Sequence, residues 1–285
     1  MSLEIKANKQ YLDSLKQLQR AAFKALANVE AELREGMTEK EVAGLLVDQL
    51  AALNIKRYRY RPVVLFDARS MFMELEVPFY YGATNKKLER DVPVVMDIAP
   101  SSGNTWVSTA YSCWYGSESL IHKAIRTKLK MSRVHILKWV REGKSFKDIA
   151  EQLEPFFEEE RVKTCHSQYP SGYLAKKLVS FNQGVDGKWV LPNECSTENK
   201  SLYSSLVDWV KQSTNNLWQN DSANYCAKPS PGIWIVEPHA GYAGIGVKWK
   251  ELLVVTENDA YWLDQDVPHW SLVDHHEYPS LRSAF

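Results

Sequence analysis

The residues able to do chemistry are unevenly placed along this chain. Glu237 and His239 stand two apart in GIWIVEPHAG, so an extended strand puts a carboxylate and an imidazole on one face. His239 is then either a general base or a half-buried histidine satisfied by a local hydrogen bond. Cys113, in Tyr-Ser-Cys-Trp, carries the atom of a nucleophile. No helix N-terminus and no histidine near it in sequence would lower its pKa, so a small buried hydrophobe is the plainer reading. The four cysteines, Cys113, Cys165, Cys195 and Cys226, contain no C-x-x-C pair, and His275 and His276 read as a solvated tail rather than a metal site. Ten tryptophans and fourteen tyrosines supply core and interface mass, or the walls of an aromatic pocket.

Composition narrows the partners. Thirty-five basic residues against thirty-five acidic ones leave no net field to gather nucleic acid or anionic lipid, so neither is an expected partner. The start MSLEIKANKQ lacks an apolar h-region, and no apolar run nears the roughly 20 residues that span a bilayer. With the scattered cysteines, this gives the expectation of a soluble, cytoplasmic protein.

Elements must hold these groups in place. Tyr11, Leu15, Leu18, Ala22 and Ala25 recur at helical spacing within a helix expected from about Ala7 to Leu33. Gly36 ends that helix, and Thr38 with Glu41 forms a capping box for a second one, Glu39 to Leu53. RYRPVVLFDARS, PVVMDIAP and TWVSTAYSCWYG then read as antiparallel strands. Helices return at about 118–142 and 145–159, so a helix-helix-then-strands unit occurs twice. GIWIVEPHAG and GIGVKWKELLVVTEND follow as neighbouring strands, with a turn at Asn258-Asp259. The segment from about 180 to 231, rich in Asn, Ser, Gly and Pro around a helical stretch near 202–212, is expected to be a lid-like insertion in a single domain spanning 1–285.

In order, GMTEKEVAGLLVDQLAAL, PVVMDIAPSSGNTWVSTAYSCWYG, GIWIVEPHAG and GVKWKELLVVTEN resemble the corresponding stretches of the creatinase, methionine aminopeptidase and prolidase superfamily. The resemblance covers nearly the whole chain and implies the α+β pita-bread fold, in which duplicated helix-helix-strand units form a curved sheet covered by helices. Its length is similar to that of the compact, methionine-aminopeptidase-like form. Catalytic members of this superfamily hold two divalent ions with two aspartates, a histidine and two glutamates, hard oxygen donors suited to cations that share a water. Carried over by motif, the first aspartate is Asp97 and the first glutamate is Glu237. The second aspartate falls on Ser108, the histidine on Tyr173 with His166 as a rival, and the last glutamate on Lys250, with Glu251 one residue along on the opposite face. Where the family has a substrate-contacting histidine, LEVPFYYGATN offers Phe79, Tyr80 and Tyr81.

The replacement set implies that no metal or other cofactor is held. Two buried carboxylates need a counter-ion, and the ammonium of Lys250 can stand where a metal stood, with Tyr173 and Ser108 as neutral donors. The expectation that follows is a metal-independent enzyme for a small amino-acid-like, amide or guanidino compound, acting by C–N hydrolysis or related acid/base chemistry. Its catalytic groups would be Asp97, Tyr173, Glu237, Lys250 and His239, with Phe79, Tyr80, Tyr81, Trp106 and Ser108 around the substrate and Tyr111 and Trp114 near the pocket. Two alternatives stand beside it: a catalytically inactive binding or scaffold protein, and a metallo-hydrolase with a rebuilt site. The resemblance also implies a homodimer.

Overall fold

The computed structural model describes residues 9–73, 81–103, 105–159, 161–166, 173–178 and 225–271. The expected insertion therefore lies, up to residue 224, outside the described residues.

The first helix, α1 (Lys9–Glu32), buries Leu15, Leu18, Ala22, Phe23, Ala25, Leu26 and Val29 along one stripe. The second, α2 (Glu39–Ala52), starts on the expected capping box: the Thr38 hydroxyl accepts from the Glu41 amide while the Glu41 carboxylate accepts from the Thr38 amide. The second pair repeats the device. Ser119 caps α3 (Leu120–Arg141), and Ser145 forms a capping box with Asp148 at the head of α4 (Phe146–Glu158). Each pair packs its apolar stripe into one of two core clusters, the first around α1 and α2 and the second around α3 and α4.

The strands between them are shorter than the sequence runs. RYRPVVLFDARS divides into β1 (Arg57–Tyr58), β2 (Val63–Phe66) and a 3-10 turn over Asp67–Met71, because Pro62 interrupts the ladder and Asp67 takes a positive φ. β3 (Val92–Ile98) is buried along nearly its whole length, as its unbroken apolar run requires. After β4 (Pro100–Ser102), the TWVSTAYSCWYG run splits at Val107-Ser108 into β5 (Thr105–Trp106) and β6 (Thr109–Tyr115). β3 pairs antiparallel with β2 and β6, setting Asp97 opposite Val63 on one side and Ala110 on the other.

In the second half, β7 (Lys163–Thr164) pairs with β10 (His239–Tyr242), which forms a hairpin with β11 (Ile245–Lys248). A four-stranded sheet runs β13 (Ala260–Trp262), β12 (Glu251–Val255), β9 (Gly232–Val236), β8 (Ala175–Lys177), all antiparallel. A short helix α5 (Pro268–Ser271) follows. The halves meet where Lys250 and Ala110 exchange backbone hydrogen bonds of 2.8 and 3.3 Å. This mix of helices and antiparallel strands in two matching halves is the expected α+β pita-bread arrangement.

One close approach depends on glycine. Gly241 and Gly246 face each other across the β10–β11 hairpin, and a Cβ on Gly246 would sit 2.1 Å from the Ser70 carbonyl oxygen. Only the bare backbone lets the 3-10 turn lie on the hairpin. Ser70 thereby reaches two of its groups, accepting from the Gly246 amide through its hydroxyl and from His239 through its carbonyl.

A candidate active site built from carboxylates and lysines

Asp97 comes from β3, while Glu237 and Lys250 lie together at one end of the antiparallel β9–β12 ladder, just beyond its terminal pair Val236 and Glu251. Lys250 Nζ stands between the two acids, 2.7 Å from Asp97 Oδ2 and 3.0 Å from Glu237 Oε2. Lys248, two residues earlier, does the same at 2.7 and 3.3 Å. A third lysine, Lys176 of β8, reaches the other Glu237 oxygen at 3.1 Å. Asp97 Oδ1 accepts from the Tyr60 hydroxyl at 2.6 Å. That hydroxyl accepts in turn from Lys250 at 3.2 Å and lies 2.6 Å from Ser108 Oγ, which donates to it, since a phenol has one proton to give and Asp97 takes it.

The charges reinforce one another. Burial pushes the Asp97 carboxyl up, but Lys248 and Lys250 outweigh it and hold the group below the ordinary aspartate value. Burial likewise opposes ionisation of Glu237, yet Lys176, Lys250 and Lys248 hold it well below the ordinary glutamate value. Burial alone would lower Lys250, and Asp97 with Glu237 carries it well above the usual lysine value. Lys176 goes the other way: burial lowers it, Glu237 opposes, and the ammoniums of Lys250 and Lys248 add to the lowering. Burial and the Asp97 charge push the Tyr60 hydroxyl well up, so it stays a donor.

His239 is fully buried and donates from Nε2 to the Ser70 carbonyl at 2.6 Å. Burial, with Lys248 nearby, lowers its pKa to about 3, so the ring is neutral at physiological pH and presents Nδ1 as an acceptor. Phe72 packs edge-on against His239 and against Tyr81, with ring centroids 4.7 Å apart in both cases. His166 is also buried, and burial lowers it to about 4 although the Glu237 charge pulls the other way.

The remaining expected groups are placed as follows. Ser108 joins the cluster through Tyr60. Tyr173 stacks on Tyr225 at 4.4 Å, and Lys176 is the side chain of that stretch that salt-bridges Glu237. Trp106 lies under the Arg59 guanidinium at 5.5 Å. Phe79 and Tyr80 lie outside the described residues. Tyr111 and Trp114 turn to the helices and not to the site: Tyr111 donates to Glu30 of α1, and Trp114 packs on His122 of α3. Strand alternation explains Tyr111, since Ala110 and Ser112 are the β6 residues that meet Lys250 and Lys248. Cys113 is buried and its thiol is pushed well up, the state of an inert thiol. Sequence reasoning missed Lys248, Lys176 and Tyr60.

Glu251 points away from this cluster, as strand alternation requires. It takes both prongs of Arg133, at 2.6 and 3.1 Å, and His269 at 2.9 Å.

A pair of divalent cations would need the same carboxylate lone pairs that three ammonium groups occupy here. Among the described residues, no group of three or more His, Cys, Asp or Glu could hold a metal ion. The donor set among the described residues therefore does not fit a pair of divalent cations.

The sequence profile of metallopeptidase family M24 matches residues 13–191, more than half of the chain. The chain belongs to metallopeptidase family M24. No curated protein sequence matches it. Similar solved structures include the X-Pro aminopeptidase of Thermotoga maritima MSB8, 17% identical with a TM-score of 0.61 over 90% of this chain and 61% of that one. The dipeptidase PepE of Mycobacterium ulcerans is 17% identical with a TM-score of 0.64 over 94% of this chain and 61% of that one. The prolidase of Pyrococcus horikoshii OT3 is 16% identical with a TM-score of 0.57 over 90% and 62%. The chain thus spans about three fifths of the length of the peptidases it resembles. No helix among the described residues is long and apolar enough to cross a membrane.

Proposed function

We propose that this M24 protein works without a metal, as an enzyme for a small amino-acid-like, amide or guanidino compound, through C–N hydrolysis or related acid/base chemistry. The observation that carries this reading is Lys250 Nζ within 3.0 Å of both Asp97 and Glu237, where a cation is needed and an ammonium supplies it. Lys248 and Lys250 fix the carboxylates. Lys176, held below the ordinary lysine value, and the neutral imidazole of His166 beside Glu237 are the groups suited to move a proton. The test is turnover by chelator-treated protein on a panel of dipeptides, N-acyl amino acids, amides and guanidino compounds, read as released amine or ammonia. Turnover that appears only when Mn, Co or Zn is added back would overturn the reading.

A second reading, a binding protein without catalysis, has one observation in its favour. Asp97 and Glu237 are held ionised and Lys250 is held protonated, so that core has no group that changes state near neutral pH. It predicts thermal stabilisation by a ligand with no turnover in the same panel. The family resemblance adds a homodimer in the cytoplasm, and light scattering at micromolar protein checks the dimer.

A further inference from the structure

The three lysines around Glu237 are not equivalent. Lys248, at the end of β11, and Lys250, just before β12, approach Oε2, and their side chains keep 7% of their surface exposed. Lys176 approaches Oε1 from β8, at the edge of the four-stranded sheet, and keeps 22%. It is the amine of the cluster that a molecule entering from solvent meets first. An amine partly withdrawn from water and placed near other ammonium groups parts with its proton more readily than a surface lysine, and without that proton it is a nucleophile.

Building on the metal-independent reading, we propose that Lys176 forms an imine with a small carbonyl compound, an aldehyde, ketone or 2-oxo acid, that enters this site. The Lys176 ammonium, held 3.1 Å from Glu237 Oε1, gives one proton to solvent water while Glu237 stays ionised. The freed nitrogen pair attacks the carbonyl carbon, the C=O π pair moves to oxygen, and a nitrogen proton shifts to that oxygen to give a neutral carbinolamine. Solvent returns a proton to the hydroxyl, which leaves as water as the nitrogen pair forms the C=N bond. The net change is ammonium plus carbonyl to iminium plus water, with no oxidant, reductant or metal. Lys248 and Lys250 keep Glu237 in place through the cycle by holding Oε2.

The test is reductive trapping of the chelator-treated, full-length protein with glyoxylate and cyanoborohydride, followed by peptide mapping. The expected result is an adduct at Lys176 that accumulates faster than at any other lysine. Lys176→Arg should lose that adduct, and Lys177→Met should leave it unchanged. Labelling spread evenly over the exposed lysines, or a protein unlabelled at Lys176, overturns the imine. Metal content measured on the same preparation separates the two failures. Tightly held transition metal at two equivalents overturns the metal-independent reading and the imine together, whereas metal-free protein unlabelled at Lys176 overturns the imine alone.

Discussion

Lys248 and Lys250 stand two residues apart and both place Nζ 2.7 Å from the same oxygen, Asp97 Oδ2. Two ammonium groups on one carboxylate oxygen share the neutralisation of Asp97, so neither lysine alone carries it.

That sharing fixes the outcome of substitution. Lys250→Met leaves Lys248 and Lys176 beside the acids and should cost less than the double variant Lys248→Met/Lys250→Met. The double variant strips the cations from Asp97 and should lose about 3–5 kcal/mol, the usual cost of leaving buried charge uncompensated. Urea unfolding of the parent and both variants checks this. A double variant as stable as the parent would sink the account of Lys248 and Lys250 as internal counter-ions.

Metal removal should do nothing. Elemental analysis of purified protein should find no stoichiometric Mn, Co, Fe or Zn, and the melting temperature should not move with chelator, because ligand linkage needs a bound ion to lose. Replacing Lys250 by Glu, Lys248 by Met and Ser108 by Asp should bring in a melting temperature that rises with added Mn or Zn.

Acid should unfold the protein in two stages. His166 and His239 have folded values of about 4 and about 3, below the ordinary 6.5, so the unfolded chain binds more protons as pH falls below 6.5. Their contribution is present above pH 6.5 and is lost as pH drops to about 3. Asp97 and Glu237, depressed from 3.8 and 4.5, contribute above those values and lose their contribution at lower pH still. His166→Asn should flatten the pH dependence of stability between 6.5 and 4. An unchanged slope in that variant would mean that His166 is not buried in its neutral form.

Arg133→Met should destabilise the fold by about 3–5 kcal/mol while leaving site chemistry alone, because Glu251 is fully buried and would keep His269 as its remaining side-chain partner. Denaturation midpoints beside the trapping assay separate the two effects. A variant as stable as the parent would show the pair to be dispensable.

The helices and their starts were legible because caps are local: Thr38 with Glu41 announces α2 within four residues. Asp97, Glu237 and Lys250 were legible through family motifs, and alternation alone put Glu251 on the far face. The same alternation contained Lys248, since Lys-Trp-Lys sends both lysines one way, and that signal was passed over. Tyr60 and Lys176 had no such signal. Tyr60 enters the site across a tertiary contact 37 residues from Asp97, and Lys176 because β8 pairs with β9. No spacing rule encodes either contact. The strand around RYRPVVLF came out too long because its apolar pattern outlasts the ladder that Pro62 interrupts.

Lys250 and Glu251 are neighbours serving two separate ion systems on opposite faces, and this bears on how the chain avoids misfolding. A slip of one residue as β12 docks on β9 would turn Glu251 toward Asp97 and Glu237, crowding three acids together, and would thrust Lys250 against Arg133. Both faces would repel at once. In most strands a wrong register is penalised only by misplaced greasy side chains; here adjacent opposite charges act as a proofreading mark, readable while the sheet is still assembling.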